Sequence, residues 1–241
     1  MASTAATRPP RVYLYRHGET PWTINGRHTG ITEVELTDYG REQVQASGKL
    51  VVGAGKLIDP SNLARVFISP RKRANQTYEL AFNEHDKTLL QDTGRVSQTE
   101  KLAEWDYGLY EGLYLHEIYK LRQEHGLSRE WADWNIWHDG CEGGESPQQI
   151  TDRMDSLIEE IRQIHDPRLR GGEGAEMPAD VVLFAHGHTL RAFVKRWLNL
   201  PMDSPVVMAL EPGGVGAASY DHGAPAILVG LGFPASSIKS N

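Results

Sequence analysis

Three short stretches of this chain hold residue types that handle an anion. "RVYLYRHGET", residues 11–20, runs from Val12, Tyr13, Leu14 and Tyr15 straight into Arg16, His17 and Gly18. The first four suit a buried strand, whereas an arginine and a histidine are costly to bury without a partner. "ISPRKRANQT", residues 68–77, ends a second apolar run in Ser69 and Pro70 with Arg71 and Arg73 just beyond. "FAHGHTLR", residues 184–191, repeats the first arrangement with His186, Gly187 and His188. Histidine changes charge near neutrality, arginine presents a fork of donors matched to phosphate oxygens, and glycine lets a backbone approach closely. Together these types suit the binding and transfer of a phosphoryl group. His186 and His188, two apart, also suit a metal, but zinc sites want three or four convergent ligands and no clustered carboxylate or cysteine pattern completes one.

The elements between these stretches must bring them together. Apolar runs alternate with helical patterns, which predicts an α/β protein: three layers, α/β/α, around a central and mostly parallel sheet. "LTDYGREQVQASGKLVVGAG" reads as a helix that starts on Thr37 and ends in glycines. "ARVFISP" reads as a strand, followed by a helix over "PRKRANQTYELAF" with Pro70 in its first turn. "ADVVLFAHGHTLRAFVKRWL" gives a strand from Val181 to Phe184 and then another helix. "VVMAL", "GVGAASY" and "AILVGLG" are expected to complete the sheet, and the stretch from Gly171 to Pro178 to be a loop. In a parallel sheet, strands ending at His17, Ser69 and His186 finish on one edge, and ligands of open α/β sheets bind outside the carboxyl ends of strands. Helix N-termini at that edge add N–H groups suited to an anion. His17 and His186 are therefore expected to face each other, with Arg16 and Arg73 alongside.

The 241 residues carry a formal net charge of −7, which argues against nucleic acid or an anionic membrane as partner. One cysteine, Cys141, excludes an internal disulfide and points to a reducing compartment. No apolar run approaches the ~18 residues of a membrane span, and "MASTAATRPP" is too short and too weakly basic for a leader, so a cytoplasmic location is expected. Asn75-Gln76-Thr77 matches a glycosylation acceptor, read as chance without a secretory signal. One domain over residues 1–241 is expected, and a homo-oligomer remains open.

"RHGET" with the downstream Thr29-Gly30, "SPRKRANQT", "LAEWDYGLYEG" and "FAHGHTLR" stand in an order that resembles the histidine phosphatase, or phosphoglycerate mutase-like, superfamily. The resemblance implies a phosphohistidine mechanism without metal or other cofactor. It makes His17 the nucleophile, Arg16, Arg73 and His186 the residues around the phosphate, and Glu104 the general acid. It implies substrate contacts from Thr23, Thr29, Gly30, Ser69, Arg71, Tyr107, Gly187 and His188. The chemistry wants the same types: a neutral imidazole is a usable nucleophile, a second histidine serves best protonated, and a carboxylic acid must protonate the leaving alkoxide with its pKa raised towards the working pH. Trp105 offers Glu104 an apolar neighbour for that purpose.

Mutases of the superfamily resemble "RHGESxWN" at the first motif and carry paired arginines in the middle insert. Here Thr23 replaces the asparagine and the insert reads "REWADWNIWHDGCEGGES". The helical insert, about residues 106–146 and expected to cover the site, resembles instead the fungal sedoheptulose-1,7-bisphosphatase branch. Hydrolysis of a sugar phosphate is therefore implied, a sugar bisphosphate first and another sugar or polyol monophosphate next. The segment after Leu200 is short for that branch. Trp131, Trp134 and Trp137 recur at about helical spacing and suit either a packed helix face or the wall of a substrate mouth. Arg71 suits a second phosphate at the far end of an extended substrate. Two other classes stand beside this reading. A metal-dependent hydrolase would lose activity with chelator, and a non-catalytic sugar-phosphate sensor would bind without turnover.

Overall fold

The computed structural model describes residues 8–228 apart from positions 129 and 132. The opening segment 1–7 and the end of "AILVGLG", residues 229–232, lie outside the described residues.

In chain order the elements are β1 (Val12–Arg16), α1 (Pro21–Asn25), α2 (Asp38–Val51), β2 (Leu63–Ile68), α3 (Lys72–Ala81), α4 (Glu84–Asp92) and β3 (Val96–Gln98). They continue with α5 (Leu115–Glu124), α6 (Ile136–Asp139), α7 (Pro147–Arg170), β4 (Asp180–Ala185), α8 (Gly187–Trp197), β5 (Val215–Asp221) and β6 (Ala224–Leu228). The strands form one sheet in the order β3-β2-β4-β1-β5-β6. β1, β2, β3 and β4 run parallel, and β5 and β6 add an antiparallel edge. The largely parallel α/β sheet read from the sequence is thus present.

The period of two along each strand sorts the core into two layers. Val12 and Leu14 of β1 join Val181 and Leu183 of β4 beneath α7, α8 and the insert. Tyr13, Tyr15, Val182 and Phe184 face the other way, onto α2 and α3. β4 is buried along its whole length, as a central parallel strand covered on both faces should be.

Register brings the three motif strands to one edge. Arg16 pairs with Ala185 and Ile68 with Phe184, so His17, Ser69 and His186 follow three neighbouring strand ends. Gly18 makes the first turn possible: a Cβ there would lie 2.7 Å from the Gly40 carbonyl oxygen and from Val44 Cγ2 of α2. The amide of Gly18 is held by Thr77 Oγ1 of α3 at 3.1 Å. Thr37 caps α2, accepting from the amide of Gly40 at 2.9 Å, as its sequence position predicts.

Three elements differ from expectation. "VVMAL" is no strand: residues 206–210 form an irregular connection whose Met208 and Leu210 carbonyls accept from Arg191 and Arg16, so they serve arginines rather than a ladder. α3 begins at Lys72 with Arg71 as its N-cap, which leaves Pro70 outside the first turn. The three insert tryptophans do not share a helix: Trp131 lies in a turn, Trp134 in coil and only Trp137 in the one-turn α6. Asn135 interrupts the helical period by capping α6, its Oδ1 accepting from the Trp137 amide at 3.1 Å.

Candidate active site

His17, the first residue after β1, is buried, and its ring lies 5.2 Å from that of His186. Its Nδ1 is 2.8 Å from the carbonyl oxygen of Gly18, which can only accept, so Nδ1 carries the proton and Nε2 keeps a free lone pair. Burial, followed by the Arg73 charge, pushes its pKa down to about 3. The imidazole is thus neutral across the physiological range and fixed in one tautomer.

Arg73, on the first turn of α3, is fully buried and positions its surroundings. Its Nε donates to His186 Nδ1 at 3.1 Å, Nη1 to the Thr32 carbonyl at 3.0 Å, and Nη2 to the Thr29 and Gly30 carbonyls at 3.0 Å each. Four N–H groups are used and one Nη1 N–H remains. His186 therefore accepts at Nδ1, and its Nε2–H donates to Ser69 Oγ at 2.6 Å. Burial and the Arg73 charge hold its pKa well below the ordinary value, so this histidine is neutral in the unliganded protein, not the protonated partner the chemistry favours. Arg16 donates Nη1 to the Leu210 carbonyl at 2.7 Å, while its buried Nε has no partner among the described residues.

Glu104 reaches the same edge from the 3₁₀ turn Glu100–Leu102 and meets the N-terminus of α8. Its Oε1 accepts from the amides of Trp105 and Thr189 at 2.9 Å each and Oε2 from the His188 amide at 3.1 Å, while the single proton of Thr189 Oγ1 is shared between Oε1 at 2.9 Å and the Ala103 carbonyl at 2.7 Å. Burial pushes its pKa up, but His188 and these donors outweigh it, and the net shift is downward. The raised pKa expected from Trp105 is therefore absent: the Trp105 amide is itself one of the donors that stabilise the carboxylate.

Arg16, His17 and Glu104 line a cleft of about 200 Å³, whereas Arg73 and His186 are fully buried and lie outside its lining. Gly187, His188 and Arg191 of α8 line it too, together with Tyr107 of the insert and with Trp22, Arg27 and His28 from α1 and the loop after it. Thr23 and Thr29 also line it, but the Thr23 hydroxyl is engaged with Thr20 in the cap of α1. Gly30 is buried beneath Tyr107, its amide held by Glu111, so it shapes the loop. Ser69 touches His186. Arg71 is not among the residues lining the cleft; its Nη1 is 3.5 Å from Glu33 Oε1, its buried Nε has no partner among the described residues, and its charge helps to lower the pKa of His186. The Tyr107 hydroxyl and His188 Nδ1 share a 2.7 Å hydrogen bond.

Sequence reasoning passed over Trp22, Arg27, His28 and Arg191. Arg191 closes "FAHGHTLR", one helical turn beyond Gly187, and that spacing was its signal. Trp22 sits in the five-residue α1 and Arg27 and His28 in the loop after it, stretches too short for periodicity to mark them. Among the described residues, no three His, Cys, Asp or Glu side chains are grouped to hold a metal, and His186 has both ring nitrogens in hydrogen bonds. No helix among the described residues is long and apolar enough to cross a membrane.

Residues 12–230 match the family model of the histidine phosphatase superfamily (branch 1). The sedoheptulose 1,7-bisphosphatase of Saccharomyces cerevisiae is 40% identical, with 88% of each chain covered. An acid phosphatase of Mycobacterium tuberculosis is 38% identical over 90% of this chain and 89% of its own. A solved structure of a Mycobacterium tuberculosis open reading frame product superposes with a TM-score of 0.69 and 36% identity, covering 92% of this chain and 97% of that one.

Proposed function

The chain belongs to the histidine phosphatase superfamily and is a phosphoric monoester hydrolase. On that premise we propose that it hydrolyses a sugar phosphate through a phosphohistidine, with sedoheptulose 1,7-bisphosphate or a related sugar bisphosphate as substrate. The state of His17 carries the chemistry: a neutral ring with Nδ1–H bound to Gly18 and Nε2 open to the cleft is a nucleophile ready to attack phosphorus.

In the first step His17 Nε2 bonds to phosphorus and the ester P–O bond breaks, the departing alkoxide taking a proton from Glu104. In the second, a water oxygen bonds to phosphorus, the N–P bond breaks and Glu104 takes the proton of the water. Arg16 and the remaining Arg73 Nη1 N–H stabilise the charge on the equatorial oxygens, joined by His186 Nε2–H when it exchanges Ser69 Oγ for the phosphoryl group. Those donors do without a metal what a cation would otherwise do. Glu104 is a carboxylate at rest, so its proton arrives with the substrate. A phosphate monoester has its second pKa near ~6, and the monoanion brings the proton needed. Of Glu104's two oxygens, Oε2 accepts one hydrogen bond, whereas Oε1 accepts from two amides and shares the Thr189 hydroxyl with the Ala103 carbonyl, which makes Oε2 the working atom.

The choice of a sugar bisphosphate is supported by the 40% identity to the yeast enzyme and by two further arginines, Arg27 and Arg191, that line the cleft with Arg16. A second reading, a phosphatase of sugar or polyol monophosphates, is supported by the similarly related acid phosphatase. With its single cysteine kept as a thiol, the enzyme is read as cytoplasmic. The test is phosphate release from sugar bisphosphates, sugar monophosphates and phosphoglycerates, with and without chelator. Bisphosphates should lead and chelator should have no effect. Preference for monophosphates would favour the second reading, and loss with chelator would refute the phosphohistidine chemistry.

A further inference from the structure

We infer that Arg27 selects bisphosphates over monophosphates by holding the phosphate at the end of the substrate remote from His17. The inference rests on the sugar bisphosphate reading above and supplies the residue that reading lacks. Arg27 lines the same cleft as His17 and Arg16 but comes from the loop after α1, where it is tied to the insert at Gly112 and Tyr114 and not to α8. Arg191, the other rim arginine, is tied by Nε to the Met208 carbonyl at 3.0 Å, and its charge lowers the pKa of both Arg16 and His188, which places it with the reacting end.

Arg27 is held as a binding group rather than left as a loose surface charge. Its Nη1 donates to the Gly112 carbonyl, and its guanidinium carbon sits 4.2 Å above the centre of the Tyr114 ring. The chain beneath it is bridged to the insert in both directions. The His28 amide donates to the Leu113 carbonyl at 3.1 Å, and the Gly112 amide donates back to His28 at 2.8 Å. Among the described residues only Nη1 of this guanidinium has a hydrogen-bond acceptor, so Nε and Nη2 are left for a ligand. A planar fork with one face covered by an aromatic ring has lost much of its freedom before binding, which favours capture of a dianionic phosphate. Arg16 beside His17 takes one phosphate, and Arg27 supplies the matched donor for a second.

The test compares wild type, Arg27→Gln, Arg27→Lys and Arg71→Leu on fructose 1,6-bisphosphate and sedoheptulose 1,7-bisphosphate against the matching monophosphates, at one ionic strength. In Arg27→Gln the ratio of bisphosphate to monophosphate kcat/KM should fall roughly ten- to a hundredfold, mainly through KM, the cost of one charge-assisted pair. Arg27→Lys should recover part of the ratio, because charge returns without the fork. Arg71→Leu should leave the ratio near wild type. A parallel fall on both substrate types in Arg27→Gln would make Arg27 a brace of the rim and overturn the inference. An unchanged ratio there, or the fall appearing in Arg71→Leu instead, would overturn it as well. Wild type that shows no preference for bisphosphates would instead bring down the substrate reading, and the inference with it.

Discussion

Replacing Glu104 by glutamine separates proton transfer from everything else this residue does. The carboxylate accepts two amide hydrogen bonds at Oε1, beside the Thr189 hydroxyl it shares with the Ala103 carbonyl, and one, from the His188 amide at 3.1 Å, at Oε2. Glutamine can turn its carbonyl to the Oε1 donors and keep those bonds. Its amide nitrogen then meets the His188 N–H, and one charge-assisted bond worth ~1.5–3 kcal/mol is lost, too little to unfold a domain of this size by itself. The chemical loss should be larger. General acid–base catalysis contributes typically ~10²–10⁴-fold, and an amide can neither donate the proton to an alkoxide nor retrieve one from water. An aryl phosphate leaves without protonation, so its first step should be nearly spared. The assay is single-turnover kinetics of Glu104→Gln on a sugar phosphate and on p-nitrophenyl phosphate, with the melting temperature as a check on folding. Phosphoenzyme formation should drop by ~10²–10⁴ on the first substrate and by less than about tenfold on the second. Equal losses on both, in a folded variant, would refute the acid role.

Two further outcomes follow from packing and burial. Gly18→Ala puts a methyl 2.7 Å from the Gly40 carbonyl and Val44 Cγ2, so α2 or the His17 turn must shift; it should cost ~1–3 kcal/mol by urea unfolding and lower kcat as well, and an unaffected kcat would show that the turn does not position His17. His165 is buried with Nδ1 on the Tyr220 hydroxyl at 2.9 Å, and burial pushes its pKa down to about 4, so the unfolded chain takes up the proton first and stability drops as pH falls from ~6.5 towards 4. His165→Gln keeps an acceptor for Tyr220 without titrating, and over that window it should lose less stability than wild type by up to ~3 kcal/mol; equal pH slopes would contradict the assignment.

Most of the site was legible because it is built on regular elements. Val12–Tyr15, Val66–Ile68 and Val181–Phe184 announce strands by residue type, and each is followed at once by residues that chemistry can use. Parallel pairing then brings them to one edge without further information. What was not legible lies in loops or in protonation. Arg27 and His28 acquire their places through hydrogen bonds to Gly112 and Leu113, 85 residues away, and through rings similarly distant in sequence such as Tyr114 and Tyr107. The low pKa of Glu104 depends on α8 presenting the His188 and Thr189 amides to it, a contact across 84 and 85 positions that the neighbouring Trp105 does not reveal. The tryptophan spacing misled because the cap at Asn135 divides a stretch that sequence alone reads as continuous.

The account stands on His17 Nε2 as the atom that takes the phosphoryl group. Rapid quenching during turnover of labelled sugar phosphate, followed by peptide mapping and phosphorus NMR of the trapped protein, tests this directly. An acid-labile, alkali-stable phosphoryl group is expected on Nε2 of His17, absent from a folded His17→Ala variant. Label on Nδ1, on His186 or on a carboxylate, or equal labelling of the variant, would contradict it.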